Sequence, residues 1–293
     1  WQKDSERRDF TINAIYLDIN GKIFDPQLGT ADLRNRNIKF IGDPYKRIEE
    51  DYLRIIRFIR FSLEYESQVE QTTVEAIKLN LDGIIKISKE RVLSELFKIL
   101  RIKNFVKLNK NKNLKDIFLL IFPELKNLDN FKKLNKYFIN IISKKDFTFL
   151  ISLLVIDKTD NSDYFLYKFN TSNEMKKRIN FLKDKFQDLL DKDFFSKKNL
   201  QKIFYFYNKD YLIDVLDYQL FQSNKSSKKL IDLKKYFDNF EKPSFPIKAK
   251  NMMEKYNIRE GRELGQKLKY LENLWVENGF KISDKQVDKV FLG

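Results

Sequence analysis

Near the start of the chain, Arg7-Arg8-Asp9 sets two guanidinium groups beside a carboxylate. Arg presents a planar fork of donors that pairs bidentately with phosphate, and a carboxylate accepts from a hydroxyl. The three side chains together suit a clamp on a triphosphate and a ribose. They also suit an ordinary surface ion-pair cluster. A second segment is Glu50-Asp51-Tyr52-Leu53-Arg54-Ile55-Ile56-Arg57-Phe58-Ile59-Arg60-Phe61. At ~100° per residue, Tyr52, Ile55, Ile56 and Ile59 share one helix face, and Arg47, Glu50, Asp51 and Arg54 share the other. Arg57 and Arg60 continue around its edge. Solvated salt bridges are the common use of such a face and contribute little, but three arginines at strict three-residue spacing also suit recognition. An ionised Asp only accepts and Arg only donates. Cytosine and adenine each present an amino donor beside a ring-nitrogen acceptor, whereas guanine and uracil present the reverse. An Asp51–Arg54 pair one helical turn apart would therefore admit C and A. Burying mismatched polar groups would reject G and U.

Two further segments read as structural when taken alone. Pro26 and Gly29 in Asp25-Pro26-Gln27-Leu28-Gly29 suit a turn, and Asp32 suits the first turn of a following helix. In Ser88-Lys89-Glu90-Arg91-Val92-Leu93-Ser94-Glu95, Ser88 suits a helix cap with Glu90 in the first turn. Glu90, Arg91 and Glu95 suit intrahelical or cross-helix ion pairs.

The elements that must position these residues follow from composition. The chain has 293 residues, enough for one large domain or two to three small ones. It lacks both cysteine and histidine, which excludes disulfides, thiolate metal sites and imidazole chemistry. Chemistry must run on carboxylates, Arg, Lys, Tyr or a carboxylate-held metal. The net charge of +15 favours a polyanionic partner. Its distribution is uneven, because residues 1–101 carry a net +1 and residues 102–293 a net +14. Ten of thirteen arginines lie in the first 101 residues, and the remainder holds thirty-six lysines. Arg offers a fixed fork and Lys a mobile point charge, so the first third reads as a recognition site and the rest as a diffuse electrostatic surface. No glycine falls between residues 84 and 260, which predicts a series of helices. Ala14–Ile19 and Lys22–Asp25 around Asn20-Gly21 predict a β-hairpin. A short helix over Ala31–Arg36 and a strand at Ile38–Ile41 are expected next, with a boundary at Gly42-Asp43-Pro44. The longest apolar run, Phe147–Ile156, is about half a bilayer span. With no signal-peptide pattern either, a cytoplasmic protein without membrane partners is expected.

In their order and spacing, the four segments resemble the class II nucleotidyltransferases, the tRNA CCA-adding enzymes and bacterial poly(A) polymerases. The likeness covers residues 4–101, from Asp4…Arg7-Arg8-Asp9 through Asp25-Pro26…Gly29…Asp32-Leu33 and Glu50-Asp51…Arg54…Arg57…Arg60 to Glu90-Arg91…Glu95. Gly261…Gly265…Leu268…Leu271-Glu272…Trp275 is similar to the tail of some bacterial members. The resemblance implies a mainly α fold: the C-terminal part of an α/β head (1–43), a helical neck carrying the nucleotide template (44–101), and a tRNA-binding helical body and tail (102–293). It implies that Arg8 and Asp9 contact phosphate and ribose, that Asp51 and Arg54 read C or A, and that Arg57 and Arg60 line the same pocket. Asp25, Gly29 and Asp32 would belong to a head–neck hinge, and Glu90, Arg91 and Glu95 would support the neck.

The implied activity is addition of C and A from CTP and ATP to a tRNA 3′ end, with Mg²⁺ as cofactor. In that family the metal-binding carboxylates and a glycine-rich loop precede the Arg-Arg-Asp motif. Here six residues precede Arg7 and the first is Trp1, so the expectation is a head that continues upstream, and a chain inactive alone. The rival readings are a poly(A) polymerase on the same framework and a non-catalytic helical RNA-binding module.

Overall fold

The computed structural model describes residues 1–103, 105–186, 188–223 and 227–292. Helix makes up 69% of it, and the only sheet among the described residues is one two-stranded hairpin, so the fold is mainly α as expected. The chain divides into two compact units, 1–179 and 180–293. The boundaries expected at 43/44 and 101/102 lie inside the first.

In the first unit, a short helix α1 (Gln2–Glu6) leads to strands β1 (Tyr16–Leu17) and β2 (Ile23–Phe24), with Tyr16 opposite Phe24. The hairpin is shorter than its hydrophobic pattern suggested. Asp18 Oδ1 accepts from the backbone of Asn20 at 2.9 Å and Lys22 at 2.7 Å, closing the turn early. Helix α2 (Gly29–Arg34) begins two residues before the expected start. Asp25 accepts from the N–H groups of Gly29 (2.7 Å) and Thr30 (2.8 Å), which caps the helix from upstream. Gly29 is required there, since a Cβ would lie 2.1 Å from the Thr11 carbonyl oxygen. The strand expected at Ile38–Ile41 is reduced to an isolated bridge between Phe10 and Phe40. Thr11 N–H donates to Lys39 O at 3.0 Å and Ile41 N–H to Asp9 O at 3.1 Å, which lays residues 9–11 along 39–41.

Helix α3 (Pro44–Glu50) starts at Pro44, capped by the Asp43 side chain. Helix α4 (Leu53–Glu64) does not continue it. Asp51 takes an extended conformation (φ −156°, ψ 102°) and breaks the single helix expected from residue 50 onward. Its Oδ1 accepts from Leu53 N–H at 3.1 Å and starts α4 afresh. Helices α5 (Gln71–Leu79) and α6 (Lys89–Arg101) follow, α6 capped by Ser88. Helix α4 packs against α6 through a core that includes Ile55, Ile59, Leu96 and Ile99. Phe10, Phe40, Phe58 and Phe61 form an aromatic cluster, with Phe10–Phe40 centroids 4.8 Å apart and Phe10–Phe61 5.5 Å apart. This cluster fixes residue 10 on α4, and so places its neighbour Asp9 over Arg57. Helices α7 (Lys112–Ile121), α8 (Lys136–Ile141), α9 (Phe147–Val155) and α10 (Asn161–Lys168) complete the unit. The apolar run expected from the sequence is α9, buried in the core and capped by Asp146.

Helix α11 (Asn173–Lys185) runs across the division. The second unit holds α12 (Lys197–Tyr207), α13 (Lys209–Gln222), α14 (Lys228–Asp238), α15 (Ala249–Tyr256), α16 (Arg262–Glu277) and α17 (Asp284–Leu292). Leu264 and Leu271 of α16 pack with Val287 and Phe291 of α17. Trp275 lies edge-on to Tyr205, whose hydroxyl donates to Glu272 at 2.5 Å. Among the described residues no helix is long and apolar enough to cross a membrane.

Candidate functional site

A cavity of about 480 Å³ opens where residues 7–13 meet the start of α4 and the first turn of α6. Its wall carries Arg7, Arg8, Arg54, Arg57 and Arg91 against two carboxylates, Asp9 and Asp51. Five guanidinium groups around two carboxylates make a basin that favours an anion. Asn13, Leu53 and Phe61 supply the rest of the lining.

Each charged group is held by a named partner. Asp4 accepts from Arg8 (2.8 Å) and Arg7 (2.5 Å), and from the Tyr16 hydroxyl at 2.8 Å. Those bonds, Arg8's first, hold the Asp4 carboxyl well below the usual range. The Arg8 side chain stays about half exposed. Asp9 is buried, accepting from Phe10 N–H at 3.0 Å, Asn13 Nδ2 at 2.8 Å and Arg57 Nε at 2.6 Å. Burial alone raises its pKa, but the bonds from Asn13, Arg57 and Phe10 outweigh that and leave it lowered. Asp51 Oδ2 accepts from Arg91 Nη2 at 2.7 Å, across forty residues of sequence. Arg54 Nη1 donates to Glu50 at 2.5 Å and to the Arg47 carbonyl at 2.7 Å. Glu50, bound first by Arg54 and also by Arg47, has a lowered pKa. Arg47 reaches back to the Arg8 carbonyl, which ties residues 7–9 to α3.

Residues 1–39 match the family described as the poly(A) polymerase head domain, and residues 68–128 the one described as the probable RNA- and SrmB-binding site of polymerase A. The mouse mitochondrial CCA tRNA nucleotidyltransferase 1 is 30% identical over 98% of this chain and 65% of its own length. The CCA-adding enzyme of Streptococcus uberis is 28% identical over 94% of this chain and 68% of its own. The chain belongs to the class II CCA-adding and poly(A) polymerase family. It spans about 65% of the length of its mouse and human relatives. The fold is that of the Bacillus stearothermophilus CCA-adding enzyme in complex with CTP, at TM-score 0.68 and 20% identity over 99% of this chain and 73% of that one. The Thermotoga maritima enzyme complexed with tRNA gives 0.63 at 19% identity, over 99% and 73% of the two chains.

Of the six residues that family resemblance marks for nucleotide contact, Arg8, Asp9, Asp51, Arg54 and Arg57 converge on the basin. Arg60 does not. Its Nε donates to Glu95 at 2.8 Å and its guanidinium lies 4.0 Å from the Phe61 ring centre, beside a different surface cleft. Six helical residues turn through about 600°, which leaves Arg60 roughly 120° around the helix from Arg54. Glu95 is almost wholly buried between Arg60 and Lys98, and that carboxylate requires the pairing. Glu90 is exposed on the first turn of α6. Arg91 joins the basin wall rather than only bracing the neck. Asp32 accepts from Thr11 Oγ1 at 2.8 Å and Gly29 abuts the Thr11 carbonyl, which pins α2 to Thr11, while Asp25 caps α2.

Three lining residues, Asn13, Leu53 and Phe61, went unassigned in the sequence reading. Asn13 carried a signal, since its amide follows the Asp9 carboxylate by four residues and can reach back to donate to it. Gly83 is a further positioning residue, because the Tyr52 ring lies where its Cβ would be, 2.0 Å from the nearest ring atom.

Proposed function

We propose that this chain takes part in template-independent addition of C and A to a tRNA 3′ end, with CTP and ATP bound in the Arg/Asp basin. The observation that carries this is the convergence of Asp51, Arg54, Arg8, Asp9 and Arg57 on one cavity. The near-complete coverage of this chain by CCA-adding relatives supports it.

Arg8 and Arg57 face the triphosphate, and Asp9, kept ionised by Asn13 and Arg57, accepts from the ribose. Asp51 accepts from the amino group of C or A while Arg54 donates to the adjacent ring nitrogen. Both reading groups are already oriented, Asp51 by Arg91 and the Leu53 N–H, Arg54 by Glu50 and the Arg47 carbonyl. Pre-set donors and acceptors bind without losing rotamer freedom, which sharpens discrimination. In division of labour, 1–43 supplies phosphate and ribose contacts, 44–101 the template, and the lysine-rich 102–293 the grip on tRNA. A cytoplasmic setting suits this role, although the mouse and human relatives are mitochondrial.

Nucleotidyl transfer in this family calls on a divalent metal, Mg²⁺ in our reading. The residues present do not suit one. Both basin carboxylates are bound by arginines, and no group of three or more Asp and Glu among the described residues could hold an ion. We therefore derive no metal-dependent step, and assign to these 293 residues binding and base selection rather than transfer.

The match of residues 1–39 to a poly(A) polymerase head favours a second reading, ATP-only polymerisation. Nucleotide binding to the chain in the presence of tRNA ending before CCA separates the two. Comparable retention of CTP and ATP over UTP and GTP supports CCA addition. Retention of ATP alone supports the polymerase, and equal retention of all four sinks both.

A further inference from the structure

A second cavity, of about 450 Å³, lies in the first unit on the far side of α6's first turn, apart from the Arg/Asp basin. Its volume is within the range of small-ligand pockets. The walls come from the 3₁₀ segment Leu81–Lys86, the start of α6, the end of α7 and the end of α10. They are aliphatic almost throughout, including Ile85, Val92 and Leu120, with Phe169 the only aromatic ring in the lining. Such a surface has little to stack a base on and much to gain from covering an alkyl chain. Ile85 is 89% exposed and Leu120 61% exposed, so apolar area at the mouth stands in water until something covers it.

Only three charged groups line this cleft: Asp82, Lys89 and Lys168. Lys168 donates to the buried Glu124 and lies 5.2 Å from the Phe169 ring centre, which anchors its ammonium group at the wall. Lys89, on the first turn of α6, is exposed and has no carboxylate partner among the described residues. Glu124 offsets the Lys168 charge, which leaves Lys89 as the available ammonium group at the mouth, and the chain's net charge of +15 favours a negatively charged head group there over a positive one.

We propose that this cleft binds an amphipathic monoanion, an unbranched aliphatic chain ending in a carboxylate, with the chain along Ile85, Val92 and Leu120 and the carboxylate at Lys89. Such binding is independent of the nucleotide basin and does not require it to be functional.

Isothermal titration of the purified chain with octanoate, octylamine and octan-1-ol tests this. Octanoate should bind at one saturable site, and octylamine at least about tenfold more weakly. Lys89→Glu should narrow or reverse that preference. Val92→Trp should fill the cavity and remove binding. Because Val92 is buried and its variant can misfold, Ile85→Asp gives a second test at a residue almost wholly in water, and should weaken octanoate about fivefold or more. Circular dichroism of each variant checks that it is folded. Absence of saturable octanoate binding up to roughly 10 mM overturns the proposal. So does equal affinity for octanoate and octylamine, or octanoate binding unchanged in Ile85→Asp, the sign of a non-specific attraction to the basic surface.

Discussion

Replacing Gly83 with alanine probes how the template is held in place. The added Cβ would lie 2.0 Å from Tyr52 Cδ1 and 2.1 Å from Cε1, whereas ordinary carbon contacts are about 3.5–4.0 Å. Relief demands that the Tyr52 ring or the 81–86 segment shift by more than about 1 Å. Overpacking of this kind costs about 1–3 kcal/mol. Asp51 directly precedes Tyr52, so the shift should also reach the basin. CTP affinity should fall by roughly tenfold or more, since displacements near 1 Å are enough for such losses. Gly265→Ala is the control, because its Cβ meets nothing within 4 Å near the N-terminal end of α16. It should stabilise by about 1 kcal/mol and leave CTP binding unchanged. Urea unfolding and nucleotide titration read both quantities. A double-mutant cycle isolates the clash, for in a Tyr52→Ala background the Gly83→Ala penalty should largely vanish. If Gly83→Ala is as stabilising as Gly265→Ala, or its penalty survives loss of the ring, the packing argument is wrong.

Arg60→Met should destabilise by about 1.5–3 kcal/mol, because it removes a charged hydrogen bond from the buried Glu95 and leaves Lys98 as its partner, yet keep CTP affinity within about twofold; a large loss of CTP binding with intact stability would return Arg60 to the basin. Asp9 has a lowered pKa in the folded chain, so its stabilisation is complete above its unfolded value of about 4 and is lost as pH falls through the lower folded value. Asp9→Asn should therefore flatten the acid limb of a stability profile measured by urea unfolding from pH 2 to 7, and an unchanged slope would discount the Arg57–Asp9 pair. Affinity for tRNA should fall about a hundredfold between 50 and 200 mM salt if some four phosphates are neutralised. An affinity independent of salt would show that the lysines beyond residue 101 do not carry RNA binding.

Much of the basin was legible because its chemistry is local in sequence. Arg8 and Asp9 adjoin, Asp51 and Arg54 are three residues apart, and the apolar positions between them dictate a helix. The helix break at Asp51 was not legible. A carboxylate that can cap Leu53 competes with helix continuation through its own side chain, and periodicity does not register that competition. The break still preserves the Asp51–Arg54 pairing, since Arg54 N–H donates to Asp51 O at 3.0 Å in the first turn of α4. Family resemblance grouped Arg60 with the basin residues, but three-residue spacing precesses around an α-helix instead of following one face and carries Arg60 to Glu95. Arg91 was read as a neck support, because its contact with Asp51 depends on how α6 packs against α4. The same limit applies to Gly83 and Tyr52, which are thirty-one residues apart and meet only in the folded chain.

The most direct test of base selection by Asp51 and Arg54 is the affinity of Asp51→Ala and Arg54→Ala for all four nucleoside triphosphates, with circular dichroism as a check on folding. Loss of a hydrogen bond to a charged partner costs about 1.5–3 kcal/mol, roughly ten- to a hundredfold. Asp51→Ala should relax discrimination and admit UTP and GTP. Arg54→Ala should weaken CTP and ATP together. Helix content should hardly change, because alanine at 54 is a good helix former and losing the Asp51 bond to Leu53 N–H costs only about 1 kcal/mol at one end of α4. Selectivity unchanged in both folded variants would contradict the assignment of these two residues as the template.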